Sequence, residues 1–497
     1  MKSVVVLLIS LLLQSNLLAQ GNFDFNANCK EAQEAILGLE FKRAKGLLLQ
    51  ERRVHPKNLV PFYLDNYIDF LTIVISEEKP RFESLKNNKN IRLDLLKKGD
   101  VNSPYFLLIQ AEVNLQWAFA RIKFNEYLTA ALEVNRAFKL LEENHKKFPD
   151  FVLNKKCLGL LHAAVGTIPD EYKWAIKLFG FEGRIKQGET EVLEVYEASL
   201  KNPAYSGFKT ETALLLSVIE LNLMNNESYV KENVLVQLEK EKKPNPLQVF
   251  CYANACMKMG LTDAAISFIE KNKFGKDRFP FAYLNYMLGQ AKLSRLDADA
   301  NLPLENYVKY FKGINFIKAA YLRLAWHAQI KGDKEKHRIY LTKVQNAGTA
   351  LVDEDKQAKQ EVESGTSPNV ALLKSRLLFD GGYYDKALIE LNRLEIKKIK
   401  SSKDNLELVY RMARIYHKQN NWEKAISNYE LTLKNGAEFP YYFAANSALQ
   451  LGLIFEEQKK YKQAETYYLR CLALKEHEYQ NSISQKAKAG LNRVSNK

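Results

Sequence analysis

Between residues 406 and 474 one hydrophobic pattern is written twice. The first copy runs Met412, Ala413, Tyr416, Ala425, Tyr429, and the second Leu451, Gly452, Phe455, Ala464, Tyr468, Cys471. In each, a small residue (Ala413, Gly452) is followed by an aromatic three positions on and by an alanine twelve on. A second aromatic comes four after that alanine. Steps of three and four keep side chains on one face of an α-helix. The polar Lys418 to Asn421 and Glu457 to Lys460 interrupt each copy midway. The pattern predicts two antiparallel helices joined by a tight turn, with small residues at the helix crossing and aromatics filling the holes beside it.

Such a pair resembles the tetratricopeptide repeat, whose period is about 34 residues. Here Ala425 and Ala464 are 39 apart, which calls for a longer connection through Asn435 to Pro440. Related pairs recur upstream. Ala32, Ala35, Ala44 and Leu48 form one, and Pro56 follows Ala44 by twelve, as Pro149 follows Ala137. Ala253, Cys256, Ala265 and Ile269 flank Gly260. Residues 319–330 and 333–344 flank Lys331-Gly332, and Ser375, Leu378, Ala387 and Leu391 lie 38 before the Ala425 copy. The expected fold is all-α, a tetratricopeptide-repeat-like helical solenoid that forms a superhelix of antiparallel helix pairs.

Local chemistry punctuates this register. Residues 81–100, rich in Lys and Asn, read as an irregular excursion, and Ser103 as an N-cap ahead of Pro104. Residues 242–246, Lys-Lys-Pro-Asn-Pro, break one helix from the next. The first nineteen residues are a different object: Lys2, an apolar run from Val4 to Leu13, then a polar tail ending at Ala19. They read as a signal peptide cleaved after Ala19, with an uncleaved anchor as the alternative. No later apolar stretch reaches the roughly 20 residues of a membrane span. The expected division is signal peptide 1–19, N-terminal helical-repeat lobe 20–352, polar joint 353–368 and C-terminal tetratricopeptide-repeat lobe 369–497. The expected location is outside the cytoplasm, periplasmic or secreted.

The most individual stretch holds Ile168-Pro169, Trp174, Phe179-Gly180-Phe181-Glu182-Gly183 and Gly188. Pro169 starts a helix, Gly180 ends it, and Gly183 and Gly188 bracket a connection into the next. No strand precedes these glycines and no Gly-Lys-Ser/Thr follows, so a phosphate-cradling loop is excluded. Ile168, Pro169, Gly180, Phe181, Gly183 and Gly188 together resemble the tetratricopeptide-repeat protein 39 and inclusion-body clearance family. That resemblance implies a helical-repeat fold over most of residues 30–480 and no catalytic residue. Its members are largely intracellular, linked to lipid handling and protein quality control, and the leader departs from that pattern.

Net charge is +15, which draws acidic partners or an anionic surface. The basic residues are spread along the chain, densest at Lys397, Lys398, Lys400 and Lys403. They read as solvated surface, with a functional basic patch as the alternative. An exported chain rarely meets nucleic acid, and no nucleic-acid partner is expected. Five cysteines, Cys29, Cys157, Cys251, Cys256 and Cys471, read as buried thiols. No metalloprotease, paired-cysteine, nucleophile-elbow or calcium-loop motif is present. The seven histidines are scattered, and acid pairs such as Glu456-Glu457 read as solvated charge. No cofactor or metal is expected.

What is left is binding. Counted from the small residues, the outward positions of successive inner helices are Leu372, Arg376 and Phe379, then Tyr410, Arg414 and His417, then Leu449, Leu453 and Glu456. Arg376 and Arg414 are equivalent, each beside an aromatic, and two guanidinium groups in one groove suit a carboxylate. The expected activity is a non-enzymatic scaffold binding a protein or peptide, acidic by this reasoning. The expected contacts are Arg376, Phe379, Tyr410, Arg414 and His417. The alternative is a glycan- or nutrient-binding helical protein at the outer membrane. Such proteins usually carry a lipid-anchor cysteine and many exposed tryptophans, and this chain has four Trp.

Overall fold

The computed structural model describes residues 20–168, 180–394 and 401–494. The expected leader, Pro169, Trp174, Phe179, Lys397, Lys398 and Lys400 lie outside the described residues. Within them every regular element is a helix, apart from isolated bridges joining Gly21 to Gly99 and Asn22 to Asn58. The fold is all-α, made of paired antiparallel helices. No described helix is long and apolar enough to cross a membrane.

The chain forms two compact units. One takes the described residues up to Lys258 with 264–287 and 306–315; the other takes 259–263, 288–305 and 316 onwards. Asp353–Glu363, expected as part of a flexible joint, is a helix inside the second unit. Its first turn carries Asp353, Glu354 and Asp355, which suit the positive end of a helix dipole. Ala358 and Asp355 are buried, so this polar segment is anchored.

In the first unit the expected small residues do what their spacing implies: Ala32, Ala35, Ala44 and Leu48 are all buried where Ala27–Leu37 packs on Phe41–Val54. Residues 20–26 are laced into this unit. Gly21 N–H donates to Lys98 O and Asn22 N–H to Lys57 O, and Asp100 and Leu59 return the bonds. The lysine-rich excursion is instead two helices, Lys79–Leu85 and Asn88–Leu96. Phe82, Leu93 and Leu96 bury, and Lys89 reaches Glu133 at 2.6 Å, so segment composition misled where a few inward residues decide. Ser103 Oγ accepts from Tyr105 N–H at 3.3 Å, and the helix Tyr105–Lys123 starts one residue later than expected, with Pro104 at its cap.

In the second unit one turn recurs. Gly332, Gly382, Asn420 and Lys459 have φ of +76°, +84°, +57° and +59°. In each case the next residue, Asp333, Tyr383, Asn421 or Lys460, donates its N–H five residues back, to Ala328, Leu378, Tyr416 or Phe455. This left-handed close satisfies the last helical carbonyls and reverses the chain within three residues. It explains the fixed gap of twelve between small residues: Ala413 faces Ala425 across the Asn420 turn, and both are fully buried. In the next pair Gly452 replaces alanine because a Cβ would meet the Tyr468 ring at 2.5 Å. All five cysteines are buried and free.

Candidate functional site

The site is built by inner helices of the second unit. Val370–Asp380 carries Arg376, Ser402–Lys418 carries Glu407 and Arg411, and Phe443–Glu457 begins just after Tyr441 and Tyr442. Asp353–Glu363 supplies one wall and the turn before Gln480–Val494 supplies Glu478 and Tyr479. Together with Trp326 these residues enclose a cavity of about 690 Å³.

Its floor is two arginines in different states. Arg411 is buried and gives Nε to Glu407 Oε1 at 2.7 Å, with a second, shorter contact from Nη2. Burial works to raise the Glu407 carboxyl, but Arg411 and then Arg376 outweigh it and hold it below the usual range. Arg376 is not matched in this way. Its guanidinium lies over the Trp326 ring at 4.4 Å, and Nη2 is sealed from water with no hydrogen-bond partner among the described residues. Glu361 Oε2 stands 3.9 Å from it, beyond hydrogen-bond reach. Glu361 Oε1 is instead held by Trp326 Nε1 at 2.6 Å. An unfilled buried donor on a charged group costs roughly 1–3 kcal/mol, which a ligand acceptor would recover.

The wall helix is pinned from below. Asp355 accepts the backbone N–H groups of Phe316 at 2.6 Å and Ala319 at 2.9 Å, and so caps the helix Ile317–Ile330 that carries Trp326. Burial pushes the Asp355 carboxyl up to about 6, against those two donors. Burial and the Glu407 charge likewise raise Asp404 on the opposite wall.

Of the expected contacts, Arg376 lines the cavity and the others do not. Arg414 lies over Phe379 at 4.2 Å and over Tyr410 at 6.0 Å. His417 packs on Trp422 and Tyr429, and burial followed by Lys418 and Arg414 lowers it to about 4. Tyr410, Leu372 and Leu449, counted as outward, are buried, because an inner helix packs on its own partner and on the next repeat as well. Arg414 is therefore a packing residue, contrary to its expected free position. Glu456, read as solvated, accepts from Tyr468 Oη at 2.6 Å and from Arg493 Nε at 2.7 Å. Arg411, Trp326, Tyr442 and Tyr479 were missed; Arg411 is one helical step of 100° round from Tyr410, so an error of one residue in facing hides it.

His327 and His337 bond separately to the carbonyls of Ala298 and Ala325. Among the described residues no group of three or more His, Cys, Asp or Glu could hold a metal ion. In the first unit His162 pairs with Glu191 at 2.6 Å, beneath Gly183, whose Cβ would meet the His162 backbone at 2.7 Å.

Residues 405–477 match the tetratricopeptide repeat family. Over that stretch, which carries the Arg411 side of the cavity, the chain is similar to tetratricopeptide repeats. No curated protein matches it. Twenty-two solved chains do. One is described as the crystal structure of the APC/C hetero-tetramer Cut9-Hcn1, at 13% identity over 93% of this chain and 95% of that one, with a TM-score of 0.23. So loose a superposition carries nothing about partners.

Proposed function

We propose that the protein is an exported, non-enzymatic scaffold that holds a segment of a partner protein in the cavity of its second unit. Tetratricopeptide repeats suggest protein interaction. The observation that carries the reading is the cavity of about 690 Å³ whose floor keeps the Arg376 Nη2 donor unused. Pockets of that size with a few convergent polar groups and aromatic walls suit a short stretch of chain. Export rests on Lys2, the apolar run and Ala19. The finer resemblance through Ile168 to Gly188 adds a helical-repeat ancestry and no activity.

The test is photocrosslinking from position 479, an exposed site on the cavity rim. A photoreactive residue there should give adducts with a discrete partner in the native compartment, and Arg376→Glu should abolish them. Adducts unchanged by Arg376→Glu would place binding elsewhere. N-terminal sequencing of the mature protein should begin at Gln20; an intact Met1 would remove the export claim.

A further inference from the structure

The charges around the cavity are not uniform. Its lining carries Arg323, Arg376, Lys403 and Arg411 against Glu354, Glu361, Asp404, Glu407 and Glu478. The basic groups are mostly engaged. Arg411 is bound to Glu407, Lys403 lies over the Tyr441 ring at 5.1 Å, and Arg323 donates to Ala319 O at 3.1 Å. Arg376 alone keeps a buried donor with no hydrogen-bond acceptor. Three acids are in the opposite state: Glu354 and Glu478 are exposed, Asp404 is half-buried, and none forms an ion pair among the described residues.

We propose, building on the groove reading above, that the cavity takes an extended peptide segment in which one carboxylate is flanked by basic side chains. The carboxylate meets the edge of the Arg376 guanidinium, whose face is covered by Trp326. The flanking ammonium or guanidinium groups meet Glu354, Asp404 and Glu478. Tyr442 and Tyr479, whose rings meet edge to face at 5.3 Å, supply the apolar surface between. A uniformly acidic segment would bring its outer carboxylates against three acids that form no ion pair among the described residues, and like-charge juxtaposition is strongly disfavoured at an interface. The +15 net charge of the chain therefore misleads about this site: long-range attraction follows the whole protein, whereas selection follows the lining.

The probes are labelled heptapeptides read by fluorescence anisotropy against the full mature chain: Lys-Lys-Ala-Glu-Ala-Lys-Lys, the same peptide with Gln for Glu, and a peptide with Glu in all the polar positions. A fourth, Lys-Lys-Lys-Ala with a free C-terminus, separates a terminal carboxylate from a side-chain one; either source binding fits the proposal. The Glu-centred basic peptide should bind about tenfold tighter than the Gln version. Arg376→Gln should erase that preference, and Glu354→Gln with Glu478→Gln should erase the preference for basic flanks. Circular dichroism melts confirm folding, and Arg376→Lys should restore part of the first preference. Equal or tighter binding of the all-Glu peptide overturns the proposal while leaving the groove reading intact. Binding of any probe that is indifferent to Arg376→Gln and Tyr442→Ala overturns the groove reading itself. Absence of binding by both carboxylate-bearing basic peptides also overturns the proposal.

Discussion

Gly188 lies so close to Gly159 that a Cβ on Gly188 would stand 2.2 Å from the Gly159 carbonyl oxygen. The helices Asn154–Gly166 and Ile185–Lys201 cross backbone to backbone at this point. Gly188, singled out in the sequence as the opening of a helix, is in fact the contact that sets the helix separation. Gly188→Ala cannot be absorbed by a flexible side chain, because the atoms it meets are the Gly159 carbonyl oxygen and the nitrogen and Cβ of Ala163. It should destabilise the first unit by about 1–3 kcal/mol in chemical denaturation. Gly46→Ala, in a helix where a Cβ meets nothing within 4 Å, should stabilise by roughly 0.5–1 kcal/mol. Equal effects of the two would mean that the close crossing does not exist.

Lys459 occupies the left-handed position that glycine fills at Gly332 and Gly382. A residue with a Cβ is strained there by about 1–2 kcal/mol, less the entropy that glycine gives up on folding. Lys459→Gly should raise stability by about 0.5–1 kcal/mol. Asn420→Gly should gain less, since asparagine tolerates this region better. Urea midpoints of the two variants check the order. A loss of stability in Lys459→Gly would contradict the assigned turn.

Ala425 and Ala464 are fully buried at equivalent helix crossings. Enlarging either to Leu should cost about 1–3 kcal/mol, because the facing helix must move. Thermal melts of Ala425→Leu and Ala464→Leu that match the parent would show the register to be wrong.

These alanines were legible in the sequence because one residue type, at one spacing, answers to one packing contact. The cavity was not, for two physical reasons. Its lining comes from residues 322 to 479, contributed by helices whose facing depends on how successive pairs stack, and no local period encodes that. The outward face was also set too narrowly: in an inner helix Tyr410 and Arg411 are both buried, and the cavity is lined by Arg411 and the mostly buried Glu407. Asp353–Glu363 failed for a related reason. A helix that buries little beyond Ala358 and Asp355 has almost no hydrophobic signature, and its anchor is a carboxylate on two backbone N–H groups.

Glu51 gives the first unit an acid-sensitive knot. Its carboxylate is buried and accepts from Asn26 at 2.6 Å, Asn28 at 3.0 Å, Asn58 at 2.9 Å and His55 at 3.0 Å. Burial works to raise this carboxyl, but the four donors outweigh it and bring it to about 2, from an ordinary 4.5. A folded-state value below the unfolded one gives stability that is complete above pH 4.5 and is lost as pH falls towards 2. The loss should reach about 2–3 kcal/mol. Glu51→Gln should be less stable at pH 7, and its melting temperature should fall less than the parent's between pH 5 and pH 3. Parallel pH profiles for the two proteins would rule the knot out.

Lys156 is another buried charge in the first unit, and nothing in the local sequence announced it. Its Nζ lies 2.8 Å from Glu112 Oε1 and 2.6 Å from Glu211 Oε2, with the Phe208 ring at 4.9 Å. Tyr63 donates its hydroxyl to the same Glu112. Burial works to lower the ammonium, yet the two glutamates outweigh that and hold it above its ordinary value. The pair of acids is tolerable only because one cation serves both. Removing it leaves two carboxylates in a dry site, and breaking a buried ion pair from one side typically costs about 3–5 kcal/mol. Lys156→Met should therefore lose that much in equilibrium denaturation at pH 7. Adding Glu112→Gln and Glu211→Gln to the same chain should recover most of it, because no unpaired charge then stays buried. If the single variant is as stable as the parent, or the triple variant no better than the single, the lysine is not what balances the two acids.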